Sequence, residues 1–110
     1  SEPYRELGSE QCRKILEGAD RDTCIILDVR TPEEYARGHI RGSANENFFS
    51  PDFRNIISNL DRDKKYVVYC AQGTRGSRTM NLMRDLGFSD VTHIRGGISA
   101  WQDAGLPVEK

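Results

Sequence analysis

Two unbroken apolar runs, Cys24-Ile25-Ile26-Leu27 and Tyr66-Val67-Val68-Tyr69-Cys70, constrain this chain most. Neither alternates polar with apolar residues, so neither suits a sheet with one wet face. Each reads as a strand covered on both sides, the pattern of a parallel sheet. Helix punctuation follows both. After the first run Thr31 can cap, Pro32 suits the first helical position, Glu34 completes a capping box, and Gly38 stops the turn. After the second comes a glycine-containing loop, then a helical segment holding Met80, Leu82, Met83 and Leu86, closed by Gly87.

The remaining segments continue the alternation. Tyr4 to Leu7 reads as a short strand. Ser9 looks like the cap of a helix over Glu10 to Glu17, ended by Gly18. Ser50-Pro51 repeats the start signal, and Phe53, Ile56, Ile57 and Leu60 fall at helical spacing. Val91 to Ile94 reads as a further strand, and Gly96-Gly97 turns the chain into a last helix with Ile98 and Trp101. A strand near Ala44 is expected to be short, because Asn45, Glu46 and Asn47 surround it. Strands alternating with helices imply an α/β fold, a parallel sheet with helices on both faces. At 110 residues the chain is expected to be one domain, residues 1–110, burying roughly 65% of its unfolded surface.

Charge narrows the functional classes. The net charge of −1 leaves no footprint for nucleic acid or an anionic membrane. No apolar run approaches a membrane span. The N-terminus lacks the basic and apolar regions of a secretory signal, and without an initiator Met it is expected to have been trimmed. The three cysteines, Cys12, Cys24 and Cys70, are an odd number and do not suggest a disulfide framework. A cytoplasmic location is the expectation. With His39 and His93 they contain no paired ligand spacing, so no metal is expected.

Cys70 is different from the other two. It ends a strand, where open α/β sheets bind their ligands. The segment Cys70-Ala71-Gln72-Gly73-Thr74-Arg75-Gly76-Ser77 then leads into a helix. Gly73 and Gly76 let backbone N–H groups turn inward, the helix presents its positive end, and Arg75 adds a full charge. Together they form a nest for an anion, centred on the Cys70 sulfur. An ordinary thiol with pKa about 8.5 is only roughly 3% ionised at pH 7, so such a nest turns an idle thiol into a nucleophile. A buried strand cysteine is the ordinary reading, and it is kept for Cys12 and Cys24.

These residues resemble the rhodanese (thiosulfate sulfurtransferase) family, single-domain type. The blocks Leu27-Asp28-Val29-Arg30-Thr31-Pro32-Glu33-Glu34-Tyr35 with Gly38-His39-Ile40, Tyr69-Cys70 with Gly73 and Arg75, Asp85-Leu86-Gly87-Phe88, and Gly96-Gly97-Ile98-Ser99-Ala100-Trp101 occur in order along nearly the whole chain. The resemblance implies a rhodanese-like three-layer fold with a five-stranded parallel sheet. It also implies a sulfurtransferase that carries a persulfide on Cys70 and needs no cofactor. The loop from Cys70 to Arg75 is of the six-residue kind found in the sulfurtransferases. The related phosphatases and arsenate reductases have one residue more, which disfavours phosphoester hydrolysis. The implied partners are a small sulfur donor such as thiosulfate and a thiol or cyanide acceptor. A thioredoxin-like or other protein sulfur acceptor is compatible, and monomer is the default state.

Site roles follow from the same likeness. Cys70 and Arg75 are the expected catalytic pair, with Ala71, Gln72, Gly73, Thr74 and Gly76 as the substrate-binding loop. Arg75 stabilises the bound anion or leaving sulfite, or is a structural ion-pair residue; both readings stay open. Asp28 and Arg30 are expected to pair with charged neighbours and brace the loop wall, and His39 to cap a turn. Ser77 is a supporting hydroxyl, displaced by one from the family's usual place, where this chain has Gly76. Ala71 and Gln72 bring no charge, so thiosulfate need not be the physiological donor. A sulfur-relay or partner-binding module with little thiosulfate activity is the alternative.

Overall fold

The computed structural model describes residues 2–110. Five strands form one sheet in the order β1-β5-β4-β2-β3, all paired parallel. They are β1 (Tyr4–Leu7), β2 (Cys24–Asp28), β3 (Ala44–Asn45), β4 (Lys65–Tyr69) and β5 (Asp90–Ile94). The helices are α1 (Ser9–Glu17), α2 (Pro32–Arg37), α3 (Phe53–Ser58), α4 (Thr74–Asp85) and α5 (Gly97–Asp103).

The apolar runs behave as their patterns require. β4 is central, and its side chains alternate between two buried layers. Val67 and Tyr69 join Cys12 and Leu16 of α1 and Ile98 and Trp101 of α5. Tyr66, Val68 and Cys70 join Phe53 and Ile57 of α3 and Met83 of α4. Helices therefore cover both faces, and a continuous apolar strand is what a doubly covered position demands. Trp101 anchors its layer, its indole N–H donating to the Pro107 carbonyl at 2.9 Å.

Local signals work where backbone groups need a partner. Thr31 caps α2: its hydroxyl accepts from the Glu34 N–H at 3.2 Å, and Glu34 Oε1 accepts from the Thr31 N–H at 3.0 Å. Three expectations shift. Gly8, not Ser9, takes the cap position of α1, and the Ser9 hydroxyl is buried without a partner. Ser50-Pro51 opens a turn, with Phe53 N–H bonded to the Ser50 carbonyl at 3.0 Å, so α3 begins only at Phe53. β4 ends at Tyr69, leaving Cys70 as the first residue beyond it.

β3 is two residues long. Its polar character has a use: the Asn45 amide donates to the Asp28 and Arg30 carbonyls at 3.2 and 2.9 Å. It thus adds side-chain bonds at the end of β2 beside the backbone bond from the Glu46 N–H to the Asp28 carbonyl at 2.9 Å.

Candidate active site

Cys70 lies at the carboxyl end of the central strand, and its carbonyl is turned away from the loop that follows. The first N–H groups of α5 hold it there: Ile98 donates to the Cys70 carbonyl at 2.9 Å, and Ser99 to the Ala71 carbonyl at 3.1 Å. With the carbonyls pinned outward, the N–H groups of the loop face the sulfur. Gly73 N–H donates to Cys70 Sγ at 3.1 Å, and Gly76 and Gln72 add their own amides.

All three cysteines are buried, Cys70 being only 1% exposed, so burial does not distinguish them. Their surroundings do. Burial pushes the Cys12 thiol up to about 11, and burial likewise raises Cys24. Burial acts upward on Cys70 as well. The nearby His93 ring and the Gly76, Gly73 and Gln72 amides outweigh it, leaving that thiol below its ordinary value. Alkylation of the folded, reduced chain by iodoacetamide at pH 7 is therefore expected to mark Cys70 first. Peptide mass analysis reads this directly, and preferential labelling of Cys12 or Cys24 would contradict it.

A recess of about 170 Å³ opens over the sulfur, lined by Cys70, Ala71, Gln72, Thr74 and Arg75. A second of about 250 Å³ adjoins it across Ala71, with Arg30, Arg37 and Ser99 in its wall. The expected loop residues are thus brought together around Cys70, with two differences. The sharp turn is made at Gly73, where φ is 128°, while Gly76 already belongs to the first turn of α4. Ser77 lines a different recess with Glu6, Arg78 and Arg95, which meets the one over the sulfur only at Gln72 and Thr74.

Arg75 sits at the rim but is not free. Its guanidinium makes a forked pair with Glu34, 2.8 and 3.0 Å from Oε1 and Oε2, and lies over the exposed Phe49 ring at 5.5 Å. The hydrogen bond from Arg75 holds the Glu34 carboxyl down at about 2. A depressed carboxyl contributes stability above its unfolded value and loses it as pH falls towards the folded one. Wild type is therefore expected to melt higher than Glu34→Gln at pH 6. The gap should narrow between about pH 5 and pH 2. Thermal unfolding across that range tests it, and a gap independent of pH would count against the pairing.

Asp28 and Arg30 are buried and pair with each other. Arg30 Nη2 lies 2.8 Å from Asp28 Oδ2 and donates to the Gly38 carbonyl at 2.6 Å. The pair ties the end of β2 to the end of α2, and Arg30 lines the recess of about 250 Å³. His39 stacks on Tyr35, with Nδ1 3.0 Å from the Tyr35 carbonyl, at the end of α2. Among the described residues no cluster of His, Cys, Asp or Glu could hold a metal ion, and no helix is long and apolar enough to cross a membrane.

A thiol ringed by amides at the end of a central parallel strand coincides with a family match. Residues 9–104 match the model of the rhodanese-like domain. The chain belongs to the rhodanese-like family. Over 103 residues the domain is 32% identical to a sulfurtransferase of Allochromatium vinosum, covering 94% of this chain and 92% of that protein. It is also 32% identical to the thiosulfate sulfurtransferase GlpE of Pseudomonas paraeruginosa, over 93% of this chain and 87% of the relative. The crystal structure of a rhodanese-related protein from Thermoplasma volcanium superposes with a TM-score of 0.82 at 31% identity, covering 96% and 98% of the two chains.

Two neighbours of the rhodanese-like loop are not legible as such in the sequence. Glu34 reads there only as part of a capping box, yet it also holds Arg75. His93 reads only as an isolated imidazole without a metal-ligand spacing, yet it lies against the loop from below, with Glu6 beside it. The one available signal for His93 is a polar residue inside the strand Val91 to Ile94.

Proposed function

We propose that this rhodanese-like domain moves a sulfane sulfur from thiosulfate or a related donor to a thiophilic acceptor through a persulfide on Cys70. The observation carrying the proposal is the set of amides from Gln72, Gly73 and Gly76 closing on one thiol. That thiol lies below its ordinary value while the other two lie above theirs. The Cys70 thiolate attacks the outer sulfur of thiosulfate. A sulfur–sulfur bond forms to Cys70, the bond to the sulfonyl sulfur breaks, and sulfite leaves with the electron pair. A thiolate or cyanide then attacks the outer sulfur, and Cys70 leaves as thiolate. The amides that stabilise the thiolate also stabilise the ionised persulfide, so the loop serves both half-reactions. No cofactor takes part in either step.

One observation favours a relay taking sulfur from another donor, such as a small or protein-borne persulfide. Arg75 is already neutralised by Glu34, and Ala71 and Gln72 are uncharged, so the recess offers a dianion little unpaired positive charge. The acceptor in that case is a thiol, including one on a thioredoxin-like protein, in the cytoplasm. Intact-mass analysis after exposure to thiosulfate tests the persulfide step. A gain of one sulfur atom, reversed by a reductant, supports it; an unchanged mass with every sulfane donor tried refutes it.

A further inference from the structure

His93 is 1% exposed and occupies the α4 side of β5. Sheet register explains what surrounds it. Glu6 of β1 is its direct partner on one side and Val68 of β4 on the other. Cys70 lies two residues beyond Val68 and on the same face, a diagonal neighbour within reach of a ring. Three adjacent strands thereby line up a carboxylate, an imidazole and a thiol.

The bonding is asymmetric. His93 Nδ1 lies 2.9 Å from Glu6 Oε2, which accepts from the Nδ1 proton. Nε2 is buried and makes no settled hydrogen bond, although the ring stands close enough to Cys70 to draw its thiol down. A buried ring nitrogen left open next to a reactive sulfur has one evident use. With Nδ1 carrying the proton of the neutral ring, Nε2 holds the lone pair and can take a proton from the thiol.

Gly76 makes room for this arrangement. A Cβ at that position would stand 2.6 Å from His93 Nε2 and 2.7 Å from Cδ2. Gly76 is helical with ordinary backbone angles, so its missing side chain serves the ring and not the turn.

We infer that His93, oriented by Glu6, is the base that takes the Cys70 proton and, as imidazolium, holds the resulting thiolate. The S–H bond breaks, its electron pair stays on sulfur, and the proton forms a bond to Nε2. The same imidazolium faces the thiolate again when the acceptor removes the outer sulfur and Cys70 departs. The arrangement is a nucleophile, a base and an orienting carboxylate. It deepens the persulfide reading and rests on Cys70 being the nucleophile. The other charges around the group are Arg95, which bonds Glu6 at 3.4 Å, Arg78 in the recess that Glu6 lines, and Arg75, paired with Glu34 and lining the recess over the sulfur. Asp28, opposite Tyr69 in the sheet, is paired with Arg30.

The test is the pH profile of Cys70 alkylation by iodoacetamide, read on the Cys70 peptide in the reduced full chain. At pH 6, His93→Gln is expected to react about tenfold more slowly than wild type, and Glu6→Gln about threefold more slowly. Both deficits should close by about pH 10, where the thiol ionises unaided. A role confined to packing would leave the shape of the profile unchanged, and a His93→Gln profile superimposing on wild type overturns the inference. Should that variant fail to fold, nitrogen NMR of the wild type decides. His93 is expected to carry protons on both ring nitrogens at pH 7, and only on Nδ1 in Cys70→Ser. A ring with the same protonation in both proteins overturns the inference. Alkylation involves no sulfur donor, so failure of every sulfane donor tried to load Cys70 would refute the transfer reading while leaving this result standing.

Discussion

Cys70→Ser is expected to lower thiocyanate formation from thiosulfate and cyanide by on the order of 10³-fold or more. It should also abolish the mass gain of one sulfur atom. A serine hydroxyl stays protonated at neutral pH, and an alkoxide cannot form the sulfur–sulfur bond on which the transfer depends. The substitution is conservative in volume, and the amides that face sulfur can face oxygen instead, so the fold should survive. Circular dichroism and the urea midpoint check that point. Cys12→Ser and Cys24→Ser are expected to keep persulfide loading, since both thiols are buried away from the recess. Loading that persists in Cys70→Ser would move the chemistry elsewhere and end the proposal.

Gly97→Ala is expected to be the most damaging single-methyl change in the domain. Gly97 has φ of 64°, and an added Cβ would collide with the Cys70 carbonyl oxygen and fall 2.6 Å from that of Ala71. Both obstacles are backbone atoms, and both carbonyls are held by the next two amides of α5. Relief of the clash must either lift α5 off the sheet or push the loop out of its shape. A stability loss of about 3 kcal/mol or more is the expected scale for strain of this kind at a packed site. Persulfide loading should fall with it, because the same two carbonyls set the direction of the loop amides. Urea unfolding and mass analysis measure the two effects separately. A variant with wild-type midpoint and wild-type loading would show that the close approach is easily relaxed.

Much of the fold could be read along the chain because its signals are local. Continuous apolar runs at Cys24 and Tyr66 report a sheet covered twice, and the Thr31 to Glu34 box reports a helix start to the residue. The expected sulfurtransferase loop was legible for the same reason: Cys70, Gly73 and Arg75 are consecutive enough to carry their own geometry. Local signals misplaced the start of α3, where Ser50-Pro51 forms a turn instead of a cap. They also misjudged Gly76, which looked like a loop-former and is a helix residue against His93.

Residues close together along the chain dictate the α/β class, the strand that runs up to Cys70 and the loop that cradles its sulfur, because those depend on neighbours within a few positions. What stands around that loop depends instead on how distant segments pack together. Glu6 and His93 are 87 positions apart in the chain, and Glu34 and Arg75 are 41 apart. Parallel pairing of β1 with β5 makes the first two neighbours, and the second two meet because Glu34 in the first turn of α2 reaches Arg75 in the first turn of α4. Such meetings depend on strand order, which no stretch of residues carries alone, and an imidazole nitrogen left open becomes visible only once every group that could have bonded it is in place.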